Sequence, residues 1–292
     1  MSHLRQTSCA GIKNYVVGAM DSQTADQLTL AGVPLFAMFA HAPDGSEISI
    51  GTLDLGWGSD RFHQMGRLKI QLLRAFLTFE LDIMLCDSDT AWLQDPTSYL
   101  AQFPAADMLV SSDHLTPTIA PGDEGLEQPR AAHSAMNIGL MFVRATEGSK
   151  AFVHAWVDML KSNSKVWDQN VFNDLVRQGF SPAVTHESNN RLFYGWNGRL
   201  VVGVLPVATF SSGHTFHVQH AHEVWTAPAA STLCTHVDLT AWPVLTDVWH
   251  RCAPVLTDVW HWCAPVSRCC GPARGRQANV PIAPAAMKHP SQ

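Results

Sequence analysis

Gly66–Pro96, GRLKIQLLRAFLTFELDIMLCDSDTAWLQDP, changes its hydrophobic period midway, and that change decides the fold. From Gly66 to Leu81, Ile70, Leu73 and Leu77, with Phe76, recur at helical spacing, while Arg67, Gln71, Arg74 and Thr78 mark the opposite stripe. This pattern predicts an amphipathic helix. Ile83-Met84-Leu85-Cys86 follows, too short and too uniformly apolar for a surface helix, and predicts a buried β-strand. Asp87-Ser88-Asp89 comes next, then Trp92 and the breaker Asp95-Pro96. A helix, a buried strand and carboxylates just past the strand's carboxyl end form a unit of an α/β sheet, and such sheets bind ligands at that end.

Outward from this unit, short apolar runs alternate with amphipathic ones from Asn14 to about Val224, which predicts one α/β domain with a mostly parallel central sheet. Strands are expected at Tyr15 to Met20, Leu35 to Phe39, Ile83 to Cys86, Met108 to Ser111, Ile138 to Val143 and Val201 to Leu205. Two further helices are expected. One runs from Ser149 to Ser162, with Phe152, Trp156 and Leu160 on one face; the other runs from Trp167 to Gln178 and is ended by Gly179. Residues 1–13 read as a tail. Beyond Val224 the composition shifts to Pro, Ala, Cys and Trp, and Val244–Pro254 (VLTDVWHRCAP) is repeated at once as Val255–Pro265 (VLTDVWHWCAP). An 11-residue tandem pair matches no stacking architecture, so 225–292 is set apart as a divergent tail.

A chain of 292 residues with 46% apolar residues can bury a full core. The formal net charge of -6 offers no basic footprint, which argues against nucleic acid as a partner. No run reaches the length of a bilayer span; Leu28 to Ala42 is broken by Gly32, Pro34 and His41. The N-terminus lacks the apolar region of a secretory signal, so the chain as written is expected in the cytosol. Seven cysteines, none in a Cys-x-x-Cys pair, argue against a disulfide framework or a zinc ribbon.

An Asp-x-Asp is expected about once by chance in a chain of this composition, so its context carries the argument. In an extended segment Asp87 and Asp89 would project together from the strand end. Paired carboxylates suit a hard divalent cation, which keeps positions for the diphosphate oxygens of a nucleotide and neutralises charge on the departing diphosphate. A solvated turn after a strand is the plain alternative.

The stretch GRLKIQLLRAFLTFELDIMLCDSDTAWLQDP resembles the plant and algal nucleotide-diphospho-sugar transferases of glycosyltransferase family 77, which include arabinosyltransferases acting on extensins. The resemblance continues, in the family's order, through SAMNIGLMFVR (Ser134 to Arg144), VWDQNVFNDL (Val166 to Leu175) and LPVATFSSGHTFHVQ (Leu205 to Gln219). It implies a GT-A fold, Rossmann-like, that binds a nucleoside diphosphate sugar, in particular a UDP-sugar, with Mn2+ or Mg2+, and a glycan or hydroxyproline-rich glycoprotein as acceptor. Carried over by position, Asp87 and Asp89 match the metal and donor-diphosphate motif. Asn137 and Gly139 match the block that looks onto the donor sugar, and Asp168-Gln169 matches the pair beside the reacting carbon. Asp21 and Lys69 match nucleotide contacts. Lys69 also reads as a solvated helix charge, and Asp168 as a first-turn acid stabilised by the helix dipole. The family is Golgi-lumenal and membrane-tethered, whereas this chain begins almost at its first strand.

His214, His217, His220 and His222 with Glu223 form a dense string that would suggest zinc, but the His-Glu-x-x-His spacing of a zinc hydrolase is absent. His214 falls in the family's Gly-His-Thr block, which favours a donor-site or fold role over zinc. His236 stands at shifted spacing as the candidate histidine that would complete the metal shell. A glycosyltransferase is therefore the leading reading. A catalytically inactive GT-A-like binding or scaffold protein from a truncated or misannotated gene is the alternative.

Overall fold

The computed structural model describes residues 11–49, 58–88, 90–113, 117–120, 122–129, 136–179, 183–212 and 215, together with the backbone of 234–236 and 260–263. Its elements run β1 (Tyr15–Ala19), α1 (Ser22–Leu30), β2 (Leu35–Ala37), β3 (Ala40–His41), β4 (Glu47–Ile48), α2 (Asp60–Leu77), β5 (Ile83–Cys86), β6 (Thr90–Trp92), α3 (Thr97–Leu100), β7 (Met108–Ser112), β8 (Met136–Val143), α4 (Glu147–Ser162), α5 (Asp168–Val176), β9 (Thr185–His186), β10 (Asn189–Gly195), β11 (Leu200–Val204), β12 (Phe210–Ser211), β13 (Cys234–His236) and β14 (Trp260–Cys263). None of the described helices is long and apolar enough to cross a membrane.

Nine strands form the main sheet in the order β2-β1-β14-β5-β8-β7-β11-β10-β9. The α/β expectation holds, but the sheet is mixed, which corrects the expectation of a mostly parallel one. Only β1 with β2 and β7 with β11 pair in parallel; every other neighbouring pair is antiparallel. Strands β2, β1, β5, β7, β11 and β9 run one way, and β14, β8 and β10 are interleaved in the opposite sense.

The uniformly apolar strands misled on direction because they report cover on both faces, whichever way the neighbours run. Along β5, Ile83 and Leu85 enter the core under α2, α4 and α5, whereas Met84 and Cys86 enter a second core with Trp92, Tyr99, Phe103 and Phe210. In β8, Met141 and Val143 take the first side, and Leu140 and Phe142 the second.

Helix α2 begins earlier than the periodicity alone suggested, because the Ser59 hydroxyl accepts the Phe62 N–H and caps it. It buries Lys69, Ile70, Leu73 and Leu77. On the same layer Phe152, Trp156 and Phe172 are fully buried and in mutual ring contact, each contributing about 1.5–3 kcal/mol of transfer free energy. Beyond residue 224, β14 comes from the second copy of the tandem repeat and inserts between β1 and β5. Strand β13 lies in a small sheet, β12-β13-β6, with His236 opposite Thr90.

Candidate active site

Because β1, β5 and β7 run the same way, their carboxyl ends share one edge of the sheet, and an aspartate stands at or just past each: Asp21, Asp87 and Asp113. The alternation along β5 turns Asp87 towards the α2 side. There Lys69, almost fully buried, places its Nζ 2.6 Å from Asp87 Oδ1 and 3.2 Å from the Ile138 carbonyl oxygen. The solvated-charge reading of Lys69 is thereby excluded.

The strand ends at Cys86, and the Thr90 N–H donates to the Asp87 carbonyl at 3.1 Å. Ser88 thus lies in a turn and not in an extended segment, so the alternation argument stops at Asp87. Asp89 itself lies outside the described residues, as do His214 and the rest of the histidine string. For His236 the structure gives the backbone position, directly across from Thr90.

Asn137 and Gly139 owe their place to a slip in the β7–β8 register. Val110 pairs Met141, yet Ser111 pairs Asn137, so three residues of β8 bulge. Within the bulge Asn137 Oδ1 accepts the Gly139 N–H at 2.6 Å, and the Gly139 carbonyl accepts the Asp87 N–H at 2.8 Å. The Asn137 amide donates to both oxygens of Asp113, at 2.9 and 3.0 Å. One hydrogen-bonded chain therefore runs Lys69, Asp87, Gly139, Asn137, Asp113. Asp113 was missed in the sequence; its signal was the one Asp87 carries, an acid immediately after a buried apolar strand.

Helix α5 delivers the other two residues. Gln169 Oε1 accepts the Ile138 N–H at 3.2 Å, and the Trp156 indole donates to the Asp168 carbonyl at 3.0 Å. Asp168 Oδ1 accepts the Gln169 N–H, as a first-turn acid does. Its carboxyl also sits against α2, where a Cβ on Gly66 would lie 2.8 Å from it. Glycine at 66 is what lets the helix pass so close.

Burial raises the Asp168 pKa above the usual aspartate value of 3.8; Lys69 pulls it back and the Asp87 charge pushes it up further. A carboxyl raised in this way weakens the fold at neutral pH and costs nothing once the pH falls below the ordinary value. Asp168→Asn is expected to raise Tm at pH 7 by roughly 2 °C, a gain that vanishes as melts are repeated towards pH 3, while transfer activity falls. A Tm gain that persists at pH 3 would show that charge burial is not its cause.

Asp21 is buried and caps α1, its two oxygens accepting from the Thr24 N–H and hydroxyl. That arrangement accounts for its burial as a helix cap.

The donor chemistry suits a hard cation. Asp87 supplies carboxylate oxygen, and although no group of three or more His, Cys, Asp or Glu among the described residues could hold a metal, Mg2+-type sites need only one or two carboxylates plus substrate phosphates.

Comparison with known proteins adds an independent line. A protein-family model described as nucleotide-diphospho-sugar transferase matches residues 10–239. The chain is 42% identical over 212 residues to arabinosyltransferase XEG113 of Arabidopsis thaliana, covering 73% of this chain and 31% of that protein. It is 27% identical over 184 residues to arabinosyltransferase RRA2 of the same plant (60% and 40%), and 27% identical over 134 residues to beta-arabinofuranosyltransferase RAY1 (46% and 22%). The chain thus spans less than half the length of each of these relatives.

Proposed function

The chain belongs to the nucleotide-diphospho-sugar transferase family, and from that premise we propose that it is a metal-dependent glycosyltransferase moving arabinose, as arabinofuranose, from a UDP-sugar to a glycan or hydroxyproline-rich glycoprotein. The observation that carries this reading is the hydrogen-bonded chain from Lys69 through Asp87, Gly139 and Asn137 to Asp113, with Asp168 and Gln169 beside it. It sets rigid polar groups at the sheet edge where α/β folds bind ligands.

Asp87 and Asp89 would hold Mn2+ or Mg2+, with His236 as the third candidate ligand. When bound, the ion supplies positive charge to the diphosphate leaving group. The residues of the chain then divide the work. Lys69 fixes the Asp87 carboxylate in one orientation and balances its charge, so that little reorganisation is needed when donor arrives. The Asn137 amide, its oxygen on the Gly139 N–H and its NH2 on Asp113, fixes the Asp113 carboxylate, whose remaining lone pairs are suited to sugar hydroxyls. Asp168 and Gln169 stand on the same side as candidates for the groups nearest the reacting carbon, Asp168 as the carboxylate that meets developing positive charge.

Purified protein is expected to transfer pentose from UDP-arabinofuranose to a hydroxyproline-linked arabinoside peptide in the presence of Mn2+, read as a gain of one pentose by mass spectrometry. Donor binding without any transfer or hydrolysis would favour the inactive binding protein instead.

A further inference from the structure

Helix α5 has two unlike faces. Val171, Phe172, Leu175 and Val176 are buried in the core, whereas Gln169, Asn170, Asn173, Asp174 and the C-cap Arg177 fall on the opposite stripe. That polar stripe does not simply meet solvent. With Asp113 it lines a cleft of about 280 Å³, in which Met136 is the one apolar residue among the described lining.

We propose that this cleft is the acceptor subsite, holding one terminal, neutral, polyhydroxylated sugar ring; the inference rests on the glycosyltransferase reading above. Three observations carry it. The first is place: Asp113 and Gln169 belong both to the cleft wall and to the network that reaches Asp87, so a ring seated there lies beside the groups assigned to the donor sugar.

The second is size. Pockets for drug-sized ligands run to about 300–1,000 Å³, so this one suits a single monosaccharide unit, leaving the remainder of the acceptor outside.

The third is chemistry. Among the described lining residues there is no aromatic platform for stacking, and the polar side chains offer carboxylate and amide groups that bind hydroxyls by their edges. Asn173 is spent on the wall: its amide donates to the Met136 and Gln169 carbonyls, and its oxygen accepts from Arg177. Gln169 commits its oxygen to the Ile138 N–H, so the amide NH2 is the part that addresses a ligand. Asn170 and Asp174, one turn apart on the exposed side of the helix, complete the set. Among the described lining residues, Asp113 and Asp174 set two carboxylates against the guanidinium of Arg177, a combination that disfavours an anionic sugar such as a uronic acid.

The test uses the full chain labelled with 15N in Asn and Gln side chains, titrated with methyl arabinofuranoside and, separately, with methyl glucuronide. The neutral glycoside is expected to shift the Asn170 and Gln169 amide signals saturably, and the glucuronide to do so at least tenfold more weakly. In transfer assays with the hydroxyproline-linked arabinoside peptide, Asn170→Ala and Asp174→Ala are expected to raise acceptor KM about tenfold while the UDP affinity stays within twofold. Asp174→Asn, which keeps shape and acceptor oxygen, should recover part of the loss. Amide signals that ignore the glycoside, or an acceptor KM unchanged in both alanine variants, would overturn the subsite. Loss of Mn2+-dependent UDP binding in the unaltered chain would instead overturn the glycosyltransferase reading, and the amide titration would still judge the cleft.

Discussion

Lys69→Met is expected to destabilise the chain by about 3 kcal/mol, a fall in Tm of roughly 6–12 °C, and to abolish transfer. Methionine fills nearly the same volume, so cavity formation does not enter. What is lost is the buried ammonium that lies 2.6 Å from Asp87 and 3.2 Å from the Ile138 carbonyl. Its removal leaves the Asp87 carboxylate facing an apolar side chain and deprives Asp168 of the one charge that lowers its pKa within this group. Breaking one member of a largely buried pair costs more than the pair itself contributes, because the Asp87 carboxylate, 21% exposed, stays partly desolvated. Thermal melts at pH 7 measure the effect. A Tm within 2 °C of the unaltered chain would mean that Lys69 is a peripheral charge after all.

Asp87→Asn should separate structure from chemistry at the same position. The amide oxygen still accepts from Lys69, and the backbone bond from the Asp87 N–H to Gly139 is untouched, so the fold and most of the stability are expected to persist. The negative charge that would hold a divalent cation is gone. Transfer from UDP-arabinofuranose is expected to fall by about 10²–10³-fold, the range found when one pre-oriented electrostatic group is removed from an active site. A folded Asp87→Asn protein with unchanged transfer rate would remove Asp87 from the mechanism.

Much of this was legible in the chain. The helix preceding β5, the strand itself and the aspartate at its end were all set by local period and punctuation, and α4 and α5 were found within a few residues of their ends. Strand direction was not legible. Ile83-Met84-Leu85-Cys86 is apolar because both faces are covered, and nothing in that composition tells a parallel neighbour from β8 running the other way.

The site divided along the same line. Asp87 was visible as a strand-end acid, but its partner Lys69 stands 18 positions earlier, and only the packing of α2 on β5 joins them. Asn137 and Gly139 could be named by resemblance, yet the reason for their position is a three-residue slip in register, which a single sequence does not reveal. Asp113 escaped notice because an acid after a strand is common; its meaning comes from the Asn137 amide that grips both its oxygens. Asp21, legible as an acid just past β1, also caps α1 through both of its oxygens, a role that only the hydrogen bonds to Thr24 disclose.

The most direct measurement of the central claim is a calorimetric titration of the chain with UDP, with and without Mn2+, beside the same titration of Asp87→Asn. Saturable UDP binding that requires Mn2+ and weakens at least 100-fold in Asp87→Asn is the predicted result, and equal affinity in EDTA or in the variant would contradict it.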